Sequence, residues 1–242
     1  MEIVTTLEQL ADRGFVLQAV FDVAELPTWI TDPIRDAGVD PNRFQRLVML
    51  GQAGPTLWET IERDGYAGAD PFDDCSRQAV AELVESLGQP VCEVVYPSSV
   101  MLPLGRMAAH AGWGDPSPLG LTINDEYGLW LAHRIVFLID APLTPERSSS
   151  DRPCDTCSDT PCVGACPVGA VSAESGFDVV ACSEYRIRDG SPCADRCLAR
   201  LACPIGTEHA YGPGQMAHHY AAGLASIRRW HRTAHPSRSG PE

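Results

Sequence analysis

The stretch that decides the fold reads Cys154-x2-Cys157-x4-Cys162-x3-Cys166-Pro167, then a lone Cys182, then Cys193-x3-Cys197-x5-Cys203-Pro204. Eight of the chain's ten cysteines lie in it. Both blocks end in Cys-Pro, a small or apolar residue and glycine: Pro167-Val168-Gly169 and Pro204-Ile205-Gly206. The N-terminus, Met1-Glu2-Ile3-Val4-Thr5-Thr6, lacks the basic-then-apolar order of a secretion signal. The expectation is therefore a cytoplasmic chain whose clustered thiols bind metal rather than form disulfides.

The spacing suits iron–sulfur cubanes. It is an expanded form of the Cys-x2-Cys-x2-Cys-x3-Cys-Pro run that binds [4Fe–4S] clusters. A cubane takes thiolates from four directions; a tight loop presents three, and the fourth comes from elsewhere. In two-cluster ferredoxins the cysteine before the proline ligates the other cluster, and the proline, lacking an N–H, turns the chain away. On that rule cluster one takes Cys154, Cys157, Cys162 and Cys203. Cluster two takes Cys166, Cys193 and Cys197, with Cys182 as its fourth ligand. The alternative is a pair of four-cysteine zinc sites in a redox-inert interaction module. The interleaved Cys-Pro ends and the lack of a histidine ligand count against it. Cys75 and Cys92 stand apart and read as small buried hydrophobes.

Outward from the cysteines, periodicity returns. Toward the N-terminus, Leu7, Leu10, Ala11 and Phe15 predict a helix over 6–21 with Thr6 as its cap. A buried strand is expected at 46–50, and helices at 56–63 and 73–87, the second stopping at Gly88. A strand at 91–96 and a helix near 102–111 follow, then a hairpin of 120–123 with 129–139. The fold class expected is α+β: an N-terminal α/β layered domain over 1–145, then a ferredoxin-like two-cluster module over 154–210. Residues 146–153 form a polar linker between them. Residues 211–242 hold a closing helix over 215–230 and a polar tail from His231. His218-His219 reads as helix surface, since adjacent residues point to different sides.

Charge narrows the partners. The 242 residues carry a formal charge of −14 and contain no lysine. Residues 1–150 hold 22 acidic and 9 basic groups, a net of −13; the remainder nets −1. Such a surface repels a nucleic-acid backbone and steers toward a redox partner protein that is basic at its docking face. Without lysine there is no Schiff-base chemistry. No apolar run is long enough to span a membrane.

From about Arg46 to Cys203 the chain resembles the epoxyqueuosine reductase family. The resemblance rests on Met107-Ala108-Ala109-His110-Ala111-Gly112-Trp113-Gly114, on Glu126-Tyr127-Gly128, and on Cys182 within Ala181-Cys182-Ser183-Glu184-Tyr185. It implies two [4Fe–4S] clusters wired as above, cobalamin over the α/β domain, an aspartate proton donor, and tRNA-binding repeats after the cluster module. The aspartate position falls at about Ser98, and no carboxylate occurs between Glu93 and Asp115. Only 39 residues follow Cys203, so the repeats are not expected here. The leading expectation is a ferredoxin-type electron-transfer protein. Its rival is a cobalamin-dependent reductase acting on a small molecule or modified nucleoside; the missing acid argues against cobalamin.

Overall fold

The computed structural model describes residues 4–234. Helix α1 (Val4–Asp12) leads into strand β1 (Leu17–Asp22). The single helix expected over 6–21 is thus half strand, and Thr6 lies inside α1 rather than capping it. Gly14 ends the helix: at φ +98° it adopts a backbone that side chains disfavour, and its N–H bonds the Ala11 carbonyl at 2.9 Å. Helix α2 (Thr28–Asp36) was not anticipated; Pro33 within it masks the period. Strand β2 (Arg46–Ala53) and helices α3 (Thr56–Asp64) and α4 (Pro71–Ser86) follow. The Asp70 carboxylate caps α4 by accepting the Asp73 N–H at 3.2 Å. Strand β3 (Cys92–Tyr96) and helix α5 (Leu104–His110) precede the short strands β4 (Asp115–Pro116) and β5 (Thr122–Ile123) and the long strand β6 (Leu131–Ile139).

Four of these strands form an antiparallel sheet in the order β1-β2-β6-β3. Its two faces carry separate cores. Phe21, Leu47, Met49, Val136 and Leu138 meet Ile30 and Ile34 of α2 and Met107 of α5. On the other face Val20, Val48, Leu50 and Phe137 meet Leu57 of α3 and Phe72, Ala79 and Leu83 of α4. Covered on both faces, β2 is buried from Leu47 to Ala53, hence its unbroken apolar run. Each large side chain so buried stabilises by roughly 1.5–3 kcal/mol.

The hairpin expected between 120–123 and 129–139 is replaced by another pairing: β5 pairs with β4. Asp115-Pro116 is too short and polar to announce a strand. The intervening turn is closed by the Asn124–Gly128 bridge, and the Asn124 side-chain oxygen accepts the Tyr127 N–H at 2.6 Å. Residues 146–150 run as a strap along this body. Glu146 and Val20 exchange backbone bonds of 2.9 Å, and the Ser148 N–H bonds the Ala111 carbonyl at 3.0 Å.

The cysteine-rich chain is built from small pieces: α6 (Pro161–Gly164), β7 (Val171–Ser172), β8 (Gly176–Phe177), α7 (Val179–Arg186) and α8 (Leu198–Leu201). Helix α9 (Pro213–Ala234) closes the described chain. It carries His231 to Ala234, expected in the tail, as helix; the rest of the expected tail lies outside the described residues. Where cysteine-rich chain meets sheet body, Gly206 and Gly128 touch, both at positive φ, and a β-carbon on either would collide with the other segment's backbone. No helix among the described residues is long and apolar enough to cross a membrane.

Candidate metal centres

Local structure aims each cysteine. Cys154 lies in a single 3-10 turn, Pro153–Thr156, and Cys157 closes it by donating its N–H to the Cys154 carbonyl at 3.3 Å. Pro161 starts α6, which carries Cys162, and Cys166 follows at its exit. Asp178 caps α7 by accepting the Val180 and Ala181 N–H groups at 3.0 and 2.9 Å, which sets Cys182 in the following turn. Cys197 is itself the cap of α8: its sulfur accepts the Arg200 N–H at 3.4 Å. Cys203 leaves α8 with its N–H on the Arg200 carbonyl at 3.3 Å.

The eight thiols line two hollows, four to each. Cys154, Cys157, Cys162 and Cys203 surround the smaller, about 30 Å³, together with Leu119, Ile123, Leu129 and Ile205. Cys166, Cys182, Cys193 and Cys197 surround the larger, about 180 Å³, together with Leu119, Val171, Phe177 and Tyr220. Neither lining contains a histidine or a carboxylate. Leu119 lines both, so the two hollows are neighbours. Cys75 on α4 and Cys92 on β3 line neither.

The thiols perturb one another in the same groups. Burial raises Cys154 first, followed by the nearby sulfurs of Cys203, Cys162 and Cys157. Burial pushes Cys182 up to about 11, with Cys197, Cys166 and Cys193 adding to it and Arg186 opposing. Backbone N–H groups counter part of this, Val163 at Cys162, Arg200 and Ala199 at Cys197, and Ile205 at Cys203. Four crowded thiols resist ionising without positive charge among them, so metal uptake here is coupled to proton release.

Among the described residues no three Cys, His, Asp or Glu side chains converge closely enough to hold a single ion. A mononuclear zinc draws its sulfurs to about 2.3 Å from one point, whereas a cubane spreads its four ligands around a bulky core. Four thiols as the only ligating groups in a mostly apolar lining, with backbone amides on the sulfurs, fit an iron–sulfur cluster.

The cysteine-rich segment is fastened to the sheet body by Arg200. Its guanidinium donates to the Leu129 carbonyl at 2.7 Å and lies 4.4 Å over Trp130 and 4.8 Å over Tyr211. His218 and His219, read from sequence as surface, are inside this junction. His218 stands 5.4 Å from the rings of Trp58 and Phe72, and His219 stands 4.6 Å from Phe72 and 5.5 Å from Tyr211. Their partners come from elements far away in sequence, so no local signal marks them.

No known protein family and no curated protein matches the sequence. Solved structures match its shape. An epoxyqueuosine reductase from Streptococcus thermophilus aligns with TM-score 0.56 at 10% identity, over 84% of this chain and 65% of that one. The Bacillus subtilis epoxyqueuosine reductase gives 0.57 at 14% identity, over 88% and 68%. An epoxyqueuosine reductase bound to an epoxyqueuosine-modified tRNA-Tyr stem loop gives 0.58 at 14% identity, over 89% and 69%. The chain therefore shares their α+β fold and spans about two thirds of their length.

Proposed function

We propose that each hollow holds one [4Fe–4S] cluster and that the chain moves electrons one at a time through the pair. The observation that carries this reading is the sorting of eight cysteines into two four-thiol hollows with no other ligating side chain. Bound clusters supply one-electron redox chemistry; the chain supplies thiolates, amides and a mostly apolar wall. The two hollows share Leu119 in their walls, which puts them close enough for transfer between them. The smaller hollow reaches the sheet body through Ile123 and Leu129. The larger is edged by Leu121 and Phe177, 41% and 38% exposed, which makes it the side open to a redox partner. The partner expected is basic at its docking face, drawn by the acidic N-terminal half. Low-temperature EPR of the dithionite-reduced protein is the test: signals from two clusters support the reading, and an EPR-silent, colourless zinc protein refutes it.

The shared fold favours a second reading, a reductase using the clusters to drive chemistry at the sheet body. Neither cysteine-lined hollow, about 30 and 180 Å³, has room for a cobalamin. A cavity of about 370 Å³ is walled by α1, β1 and residues 143–148, away from both cysteine-lined hollows. A corrinoid needs a site toward or beyond the upper end of the ~300–1,000 Å³ typical of ligand pockets. Nor does Ser98 replace the acid. Its hydroxyl donates to the Val95 carbonyl at 2.6 Å and accepts the Val100 N–H at 3.1 Å, so it is committed to the backbone. Burial raises Tyr96, making it a poorer donor still. Reduction of a small molecule by this chain would therefore use other groups.

A further inference from the structure

Beneath α9 lies a guanidinium without a counter-charge. Arg134 sits on β6 where the β2 register shifts between Leu50 and Gly51. It is only partly buried, its guanidinium lies 4.2 Å over the Phe72 ring, and its Nε donates to the Gln52 side-chain oxygen at 3.1 Å. The Gln52 amide nitrogen in turn donates to the Tyr211 hydroxyl at 3.2 Å. Among the described residues this is the one hydrogen bond Arg134 makes, and no carboxylate reaches ion-pair distance of it. Asp70 and Asp73, at the start of α4, act on it only at longer range.

On α9, Gln215 and His219 are four residues apart and so on one side of the helix, and His219 packs 4.6 Å from the same Phe72 ring that Arg134 covers. Gln215 is 0% exposed, yet neither atom of its amide has a partner, and His219 Nε2 has none. Leaving a buried polar group without a partner is destabilising, and apolar residues would fill this interface better. Burial, and after it the charge of Arg134, push the His219 imidazole down to about 3, so it is neutral.

We propose that Arg134, Gln52, Gln215 and His219 form a binding site for a small anion bearing a carboxylate or phosphate group. A guanidinium with both terminal nitrogens uncommitted grips two oxygens of such a group at once. The neutral imidazole and the buried amide supply further donors, and Phe72 holds the guanidinium plane. The site does not depend on the cluster reading, since none of its residues lines either hollow.

The test is calorimetric titration of the iron-loaded protein, under anaerobic conditions, with inorganic phosphate and separately with acetate. Saturable one-to-one heat from either probe is expected, and the tighter probe identifies whether phosphate or carboxylate is the natural group. Arg134→Gln should weaken that binding at least tenfold while the exposed Arg43→Gln leaves it unchanged. No saturable heat from either probe, or equal binding by Arg134→Gln, overturns the site. Gln215→Leu guards against a variant that fails to fold. It should raise the thermal midpoint by removing two orphaned atoms and yet weaken the anion severalfold. A higher midpoint with unchanged affinity would show the buried amide to be a packing defect, and the proposal would fall.

Discussion

Cys166 and Cys203 each precede a proline, and each lies in the hollow whose other cysteines come mainly from the opposite block. If those hollows hold clusters, the two substitutions have crossed effects. Cys203→Ala should abolish the cluster seated with Cys154, Cys157 and Cys162, and Cys166→Ala the one seated with Cys182, Cys193 and Cys197. Cluster-resolved EPR of the two variants reads this directly; loss of the same-block cluster in each would contradict it. Ser98 carries a second expectation. A positioned acid contributes about 10²–10⁴-fold to such a proton transfer, and the Ser98 hydroxyl is occupied by Val95 and Val100. Reduced protein supplied with cobalamin and epoxyqueuosine-containing tRNA should show no turnover. Turnover would mean that another group donates the proton, and Ser98→Asp would then bring no gain.

At the scale of the element, α9 has the most to lose from acid. Burial pushes His219 on α9 down to about 3 and His133 on β6 down to about 4, with Arg134 adding to both. In the unfolded chain each imidazole takes up a proton near pH 6.5. The unfolded state thus binds more protons between those values, so this stability is complete above about pH 6.5 and declines as pH falls toward 4 and 3. The decline is at most about 1.4 kcal/mol per pH unit per histidine. Thermal midpoints measured at pH above and below the free imidazole's range should drop on the acid side, and His219→Phe should shrink the drop. An unchanged pH slope would place His219 in a more solvated setting. The same elements show what local pattern can and cannot reveal. The seams of β2 and α4 were legible because Leu47-Val48-Met49-Leu50 and Ala79, Val80, Leu83 state their burial within one short window. β1 was hidden because Leu7, Leu10 and Phe15 keep a helical period across Gly14, where the backbone turns. The β4–β5 pair was hidden because two residues carry no period at all. Of the site, the cysteines and their order stand in the sequence. The shared Leu119 wall, Arg200 and the Arg134–Gln52–His219 group arise only from contacts between distant segments.

The whole molecule divides its stability unevenly. The sheet body has two apolar cores, whereas the third core, around the cysteines, is small and includes Cys203, with Cys154, Cys162, Cys166 and Cys197 packed against it. Without metal such a module has too little burial to offset the entropy of ordering its loops. We expect iron removal to unfold residues 154–210 and leave 1–145 folded. Hydrogen exchange of the apoprotein should show protection kept in β2 and β6 and lost in α6 to α8; uniform protection would contradict this. The central claim, two [4Fe–4S] clusters, is tested most directly by counting iron and acid-labile sulfide in anaerobically purified protein. The account predicts about eight of each per chain. Two zinc ions per chain with no labile sulfide would contradict it.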